Sequence, residues 1–169
     1  TSLVGSEMCI RDSICTMSFD PMKNLPNYGN GGAISTSIPD LHEFVSNFRH
    51  HHHPKYTEVA TNSKMSELDC ACMMVKFKHL EEWDKRRKDI ARYWMKDCKY
   101  KVLIKDLDTH AVQKFVIQLD DRDDFREKVC YPTRINYPYT LAPTENAVKL
   151  SKTVVSLPIY PELTDAEVE

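Results

Sequence analysis

Apolar positions along this chain fall into short runs at both ends and one long amphipathic stretch in the middle. Ile14 to Phe19 and Gly31 to Thr36 have β character, and the loop between them is punctuated by Pro21, Pro26 and Gly29. Strand, loop, strand is the simplest reading. Leu41, Phe44, Val45 and Phe48 recur at helical spacing, with Asp40 as the expected cap. The longest regular segment is Ser66 to Lys99, where Leu68, Ala71, Cys72, Val75, Leu80, Trp83, Ile90, Ala91 and Trp94 form one stripe. Ser63 or Ser66 is its expected N-cap. The period slips between Lys78 and Glu82, which predicts a kink or a junction between two helices. Beyond it, Ala111 to Leu119 reads as a strand, Asp123 to Val129 as a short helix, Thr133 to Tyr137 as a second strand and Val154 to Pro158 as a third. A long helix beside a small sheet is an α+β arrangement.

Composition narrows this picture. The 169 residues suffice for a sizeable core. A net charge of −2, with Lys85 to Lys88 set among acids on one helix face, argues against nucleic acid or a membrane as partner. No apolar run approaches the length that spans a bilayer. Cysteines at 9, 15, 70, 72, 98 and 130 include no Cys-x-x-Cys pair, so they read as reduced thiols of a cytoplasmic protein, with no metal site expected. His50 to His53 form a run that could take a transition metal; a polar loop near a helix C-terminus is the simpler account.

The ends carry expectations of their own. Residues 1–13 read as a non-native, adapter-derived segment, because residues 2–13 resemble a translated sequencing adapter. At the other end, Thr164 or Asp165 opens a helix with an acidic first turn and no body. The chain is therefore expected to be a fragment, truncated at its end.

Chemistry concentrates in the first loop. Phosphate-binding Gly-x-x-x-x-Gly-Lys, dinucleotide Gly-x-Gly-x-x-Gly, Gly-x-Ser-x-Gly and His-Glu-x-x-His patterns are all absent from the sequence. Lys23 follows Ser18 by five residues and precedes the Gly29-Asn30-Gly31-Gly32 cluster. A lysine there can be a solvated surface charge. It can also be a nucleophile, if burial or a neighbouring cation lowers an amine pKa that is ordinarily about 10.4. A hydroxyl and glycine-freed amides nearby suit a phosphate. Pyridoxal phosphate (PLP) needs both an amine and a phosphate cradle.

Ser18-Phe19-x-x-x-Lys23-Asn24-Leu25 with Gly29-x-Gly31-Gly32-Ala33-Ile34 resembles the lysine loop of the DegT–DnrJ–StrS family of PLP-dependent sugar aminotransferases. Asn62 to Leu68, Arg86-Arg87-x-x-Ile90-Ala91-x-Tyr93 and Val155 to Thr164 resemble three further blocks of that family, in the same order. The resemblance implies an α/β chain of the PLP-dependent transferase fold type I, in part. Residues 14–60 would be the end of the large domain with the lysine loop. Residues 61–169 would be a long helix and a small α+β C-terminal domain with a small antiparallel sheet.

The same resemblance implies roles. Lys23 would form the Schiff base with the cofactor and then act as general base and acid. Ser18 would bond the PLP phosphate, and Asn62 would reach the phosphate of the neighbouring subunit in a homodimer with shared active sites. Lys64 stands where the family usually has arginine, losing a planar fork. Asn136 departs from a histidine that, with a following tyrosine, faces the sugar. The reaction implied is transfer of an amino group, from glutamate, to a keto-sugar nucleotide. A dehydratase of the same family is an alternative, although histidine there usually replaces the lysine; a non-catalytic helical interaction module is another. The family's ring-holding aspartate and aromatic belong to a region outside these motifs, so this chain alone is expected to be inactive.

Overall fold

The computed structural model describes residues 14–55, 59–140 and 142–169. The expectation for residues 1–13 lies outside the described residues. The chain divides after Leu80 into two compact units.

In the first unit, β1 (Cys15–Ser18) pairs antiparallel with β2 (Gly32–Ser35), with Cys15 opposite Ser35 and Ser18 opposite Gly32. Both strands fall inside the stretches expected of them. Helix α1 (Pro39–Phe48) carries the expected stripe, but its N-cap is Ile38, without a side-chain cap. Pro39 at the first helical position explains this: its fixed φ starts the helix and its missing N–H needs no acceptor. Asp40 instead lies inside the first turn, where it complements the helix dipole. After α1 the backbone doubles back. Thr61 donates to the Phe48 carbonyl, His51 to Thr61 and Ser63 to Arg49, all within 3.0–3.1 Å, which sets Asn62 opposite His50.

The expected long helix is two helices. α2 (Glu67–Phe77) begins at Ser66, whose hydroxyl accepts the Asp69 N–H, and α3 (Leu80–Asp97) follows after Lys78 and His79. Lys78 donates to Val75 and His79 to Lys76, so the last turn of α2 tightens to i→i+3 bonds and ends there. The slip in the apolar period marks the break.

In the second unit, β3 (Lys101–Val102), β4 (Phe115–Gln118) and β5 (Val154–Leu157) form an antiparallel sheet in that order. Phe115 and Ile117 are buried while Val116 and Gln118 alternate outward, the period-2 signature of a half-buried strand. They join Ile90 and Ala91 of α3 with Ile104, Val112, Val155, Ile159 and Leu163 in one core. Helices α4 (Arg122–Lys128), α5 (Glu145–Thr153) and α6 (Asp165–Val168) complete the unit. Thr164 caps α6 in a reciprocal box with Glu167.

Two expected strands shrink for visible reasons. The first reaches back only to Phe115, because buried Val112 sits at φ +45° and gives its N–H to His110 Nδ1 rather than to a ladder. The stretch 133–137 reduces to a single bridge, Arg134 opposite Ser156, because Pro132 and Pro138 flank it and lack donors. β3 and α5 were not anticipated.

Candidate functional site: a braced lysine loop

Lys23 is delivered by a tight turn. Asp20 Oδ1 accepts the Met22 N–H at 2.9 Å, and the Asp20 carbonyl accepts the Lys23 N–H at 2.9 Å. Asp first and Pro21 second is the residue order such a turn favours. Downstream, Phe19 donates to the Gly31 carbonyl and Asn27 to the Phe19 carbonyl, each at 2.8 Å, which closes the loop at its neck. The Lys23 side chain is half-buried, and no hydrogen bond or ion pair engages its amine among the described residues.

Ser18 ends β1 on the exposed side of the same loop. Its Oγ accepts the Asp20 N–H at 3.3 Å, leaving the hydroxyl proton available to an anion. Two hydrogen bonds through Asp20 thus connect Ser18 to Lys23. Gly32, opposite Ser18, has room for nothing larger: a Cβ there would lie 2.7 Å from the Met17 carbonyl oxygen.

Helix α2 braces the far side of the loop. Asn27 is 2% exposed and donates through Nδ2 to Asp69 Oδ1 at 2.9 Å. Ser66 Oγ donates to the other carboxylate oxygen at 2.6 Å. These bonds, the Ser66 one foremost, hold the Asp69 carboxyl below its usual pKa. One α2 turn pair on, Lys76 Nζ donates to the Pro26 carbonyl at 2.9 Å and sits 3.8 Å from the centre of the Tyr28 ring.

Asn62 is exposed and sits opposite His50, four residues before the α2 cap. No hydrogen bond joins it to Lys23 or Ser18 among the described residues. His50 Nδ1 is buried without a partner among the described residues, and burial first, then Lys64, His53, His51 and Arg49, push its pKa below 6.5. The His50 and His53 rings stand 5.1 Å apart, but among the described residues no three His, Cys, Asp or Glu side chains gather to hold a metal ion. In the second unit, Asn136 Nδ2 donates to Ser156 Oγ at 3.2 Å, at the edge of a cleft of about 330 Å³ that Tyr137 and Tyr139 also line.

Half-buried Lys23, its amine without a partner among the described residues, and a Ser18 hydroxyl with a spare proton on the same loop make a donor set that fits an aldehyde carrying a phosphate, and so fits pyridoxal phosphate. The sequence singles out Lys23, Ser18 and Asn62; the structure connects the first two through Asp20 and shows no hydrogen bond from Asn62 to either among the described residues. Asn27, Asp69 and Lys76, which hold the loop, have no local signal in the sequence beyond the Ser66-x-x-Asp69 spacing of a helix start.

The model of the DegT/DnrJ/EryC1/StrS aminotransferase family matches residues 1–169. The erythromycin biosynthesis sensory transduction protein EryC1 of Saccharopolyspora erythraea is 32% identical over 95% of this chain and 50% of its own length. The dTDP-3-amino-3,4,6-trideoxy-alpha-D-glucose transaminase of Streptomyces venezuelae is 28% identical over 94% of this chain and 48% of its own. Among solved structures, S. venezuelae DesV in complex with a ketimine intermediate superposes with a TM-score of 0.83, at 26% identity over 93% of this chain and 49% of that one. NtdA of Bacillus subtilis with bound cofactor PMP gives 0.81 at 25% identity, over 96% and 45%. The fold is that of these aminotransferases, in part. The chain spans about half the length of the curated relatives it matches.

Proposed function

Because the chain belongs to the DegT/DnrJ/EryC1/StrS aminotransferase family, we propose that it carries the lysine-bearing part of an enzyme that moves an amino group, with glutamate as donor, to a keto-sugar nucleotide. The observation that carries this reading is the state of Lys23: half-buried, unpartnered among the described residues, and held at the crest of a loop closed on both sides. A solvated surface lysine needs no such loop. Lysine at this position also favours transamination over the family's dehydratases.

When bound, pyridoxal phosphate supplies an electron sink that lets an amino group exchange between two carbonyl carbons. The residues of this chain do the rest. Lys23 would hold the cofactor through its amine, and that amine would serve as the base and acid for the proton that moves along the substrate. Ser18 would donate a hydrogen bond from its hydroxyl to the phosphate. Asn62 serves the phosphate of a neighbouring subunit in a cytoplasmic homodimer. Both carboxylates that meet the loop, Asp20 and Asp69, are engaged in holding the chain, so neither is offered to a pyridine nitrogen. We therefore expect no transamination from this chain alone.

The test is incubation with pyridoxal phosphate, reduction with borohydride and peptide mapping. The expected product is a reduced adduct concentrated on Lys23 and lost in Lys23→Arg. An adduct spread evenly over the surface lysines would overturn the assignment, and turnover by this chain alone would overturn the half-site reading.

A further inference from the structure

The bond between Asn27 and Asp69 joins two segments 42 residues apart and lies under the loop that presents Lys23. Asn27 is almost wholly buried, and its Oδ1 has no partner among the described residues while its Nδ2 serves Asp69 and, at 3.5 Å, the Asn30 carbonyl. Burying an amide with an unmet acceptor is unfavourable. An apolar residue would avoid that penalty. What an apolar residue cannot do is donate a charge-assisted hydrogen bond to a carboxylate, roughly twice as strong as a neutral one.

We propose that Asp69 is a positioning residue for Lys23, acting through Asn27. The proposal rests on the reading of Lys23 given above and adds the means by which its amine is aimed. Asp69 is itself fixed at the start of α2, where its own N–H and its carboxylate both meet Ser66 Oγ, at 3.0 and 2.6 Å. A rigid carboxylate therefore pins Asn27. Asn27 in turn pins the loop neck, since its backbone N–H bonds the Phe19 carbonyl. Phe19 adjoins Asp20, whose carbonyl receives the Lys23 N–H. The path from α2 to the amine-bearing residue is short: hydrogen bonds from Asp69 to Asn27, from Asn27 to Phe19 and from Lys23 to Asp20, with one peptide link between Phe19 and Asp20. Lys76 on the Pro26 carbonyl adds a second tie from the same helix, so the loop cannot pivot about Asn27 alone.

A reciprocal exchange tests this. Asn27→Asp alone sets two carboxylates against each other; Asp69→Asn alone keeps an acceptor; the double exchange restores a carboxylate–amide bond with its direction reversed. Each variant is treated with pyridoxal phosphate and borohydride, and labelling of Lys23 is read relative to labelling of Lys114 in the same chain. Hydrogen exchange over residues 19–31 is measured alongside. Asn27→Asp is expected to lower the Lys23 to Lys114 ratio about tenfold and to speed exchange in the loop, and the double exchange to recover both. If Asn27→Asp speeds exchange yet leaves the labelling ratio unchanged, the pair is merely structural and the proposal fails. It also fails if both readouts stay at the wild-type level. If wild-type protein shows no preference for Lys23 while the exchange arm behaves as expected, the bracing stands and the cofactor reading is what falls.

Discussion

Arg86 Nη2 donates to the Leu163 carbonyl and to Asp165 Oδ1, at 2.7 Å each, so one guanidinium ties α3 to the segment that opens α6. The two bonds are unequal. Leu163 is buried, whereas the Asp165 side chain is 88% exposed, where an ion pair contributes little. Arg86→Ala should destabilise the second unit by about 1–3 kcal/mol, mostly through the orphaned carbonyl. Asp165→Asn should stay within about 0.5 kcal/mol of wild type. Urea unfolding of both variants decides the matter, and equal losses would refute the ranking.

Acid should loosen the corner that holds Asn62. His50 has its pKa lowered in the fold, so folding favours the neutral ring. Its contribution is fully present above the unfolded value of about 6.5 and is lost as pH falls through the lowered folded value. Protonation would add a cation beside Lys64, Arg49, His51 and His53. The thermal midpoint should therefore drop between pH 7.5 and pH 5, and drop less in His50→Gln. An identical drop in that variant would show that another group is responsible.

Two adjacent glycines should respond differently to a methyl group. At Gly32 it would meet the Met17 backbone oxygen at 2.7 Å, which cannot move without parting β1 from β2. At Gly31 it would meet the end of the Met65 side chain at 3.0 Å, which can swing aside. Gly32→Ala should destabilise by about 1–3 kcal/mol and Gly31→Ala by clearly less. The comparison is a pair of denaturation curves, with the reverse order as the refuting result.

Phe115 is fully buried and packs edge-on against Trp94 with ring centres 5.2 Å apart. Its removal should leave a cavity in the centre of the second unit. Phe115→Ala is expected to destabilise by about 3–5 kcal/mol and to weaken the near-ultraviolet circular dichroism of the indole. A loss under about 1 kcal/mol would mean that the site collapses around the gap.

Much of this was legible from local pattern. Lys23, Ser18 and the glycines lie within one loop, so their spacing survives in the linear chain. The break between α2 and α3 was visible as a slip in the apolar period, and Ser66 and Thr164 announced their helices by capping chemistry. Other features had no local trace. β3 has two residues and is defined only by Gln118 and Ile117 across from it. Val112 looks like a strand residue until its positive φ is known. Asn27 reads as an ordinary loop polar residue, because the carboxylate that explains it stands 42 positions away.

The sequence by itself determined the family, the strand–loop–strand around Lys23 and the amphipathic helices, because these depend on neighbours within a few residues. Only the tertiary structure decided what holds the lysine loop. Asp69 and Lys76 reach it from α2, and a buried amide is held there because a carboxylate from another element accepts its hydrogen bond. Hydrogen bonds between distant segments depend on folded distance, and no spacing along the chain encodes that distance directly.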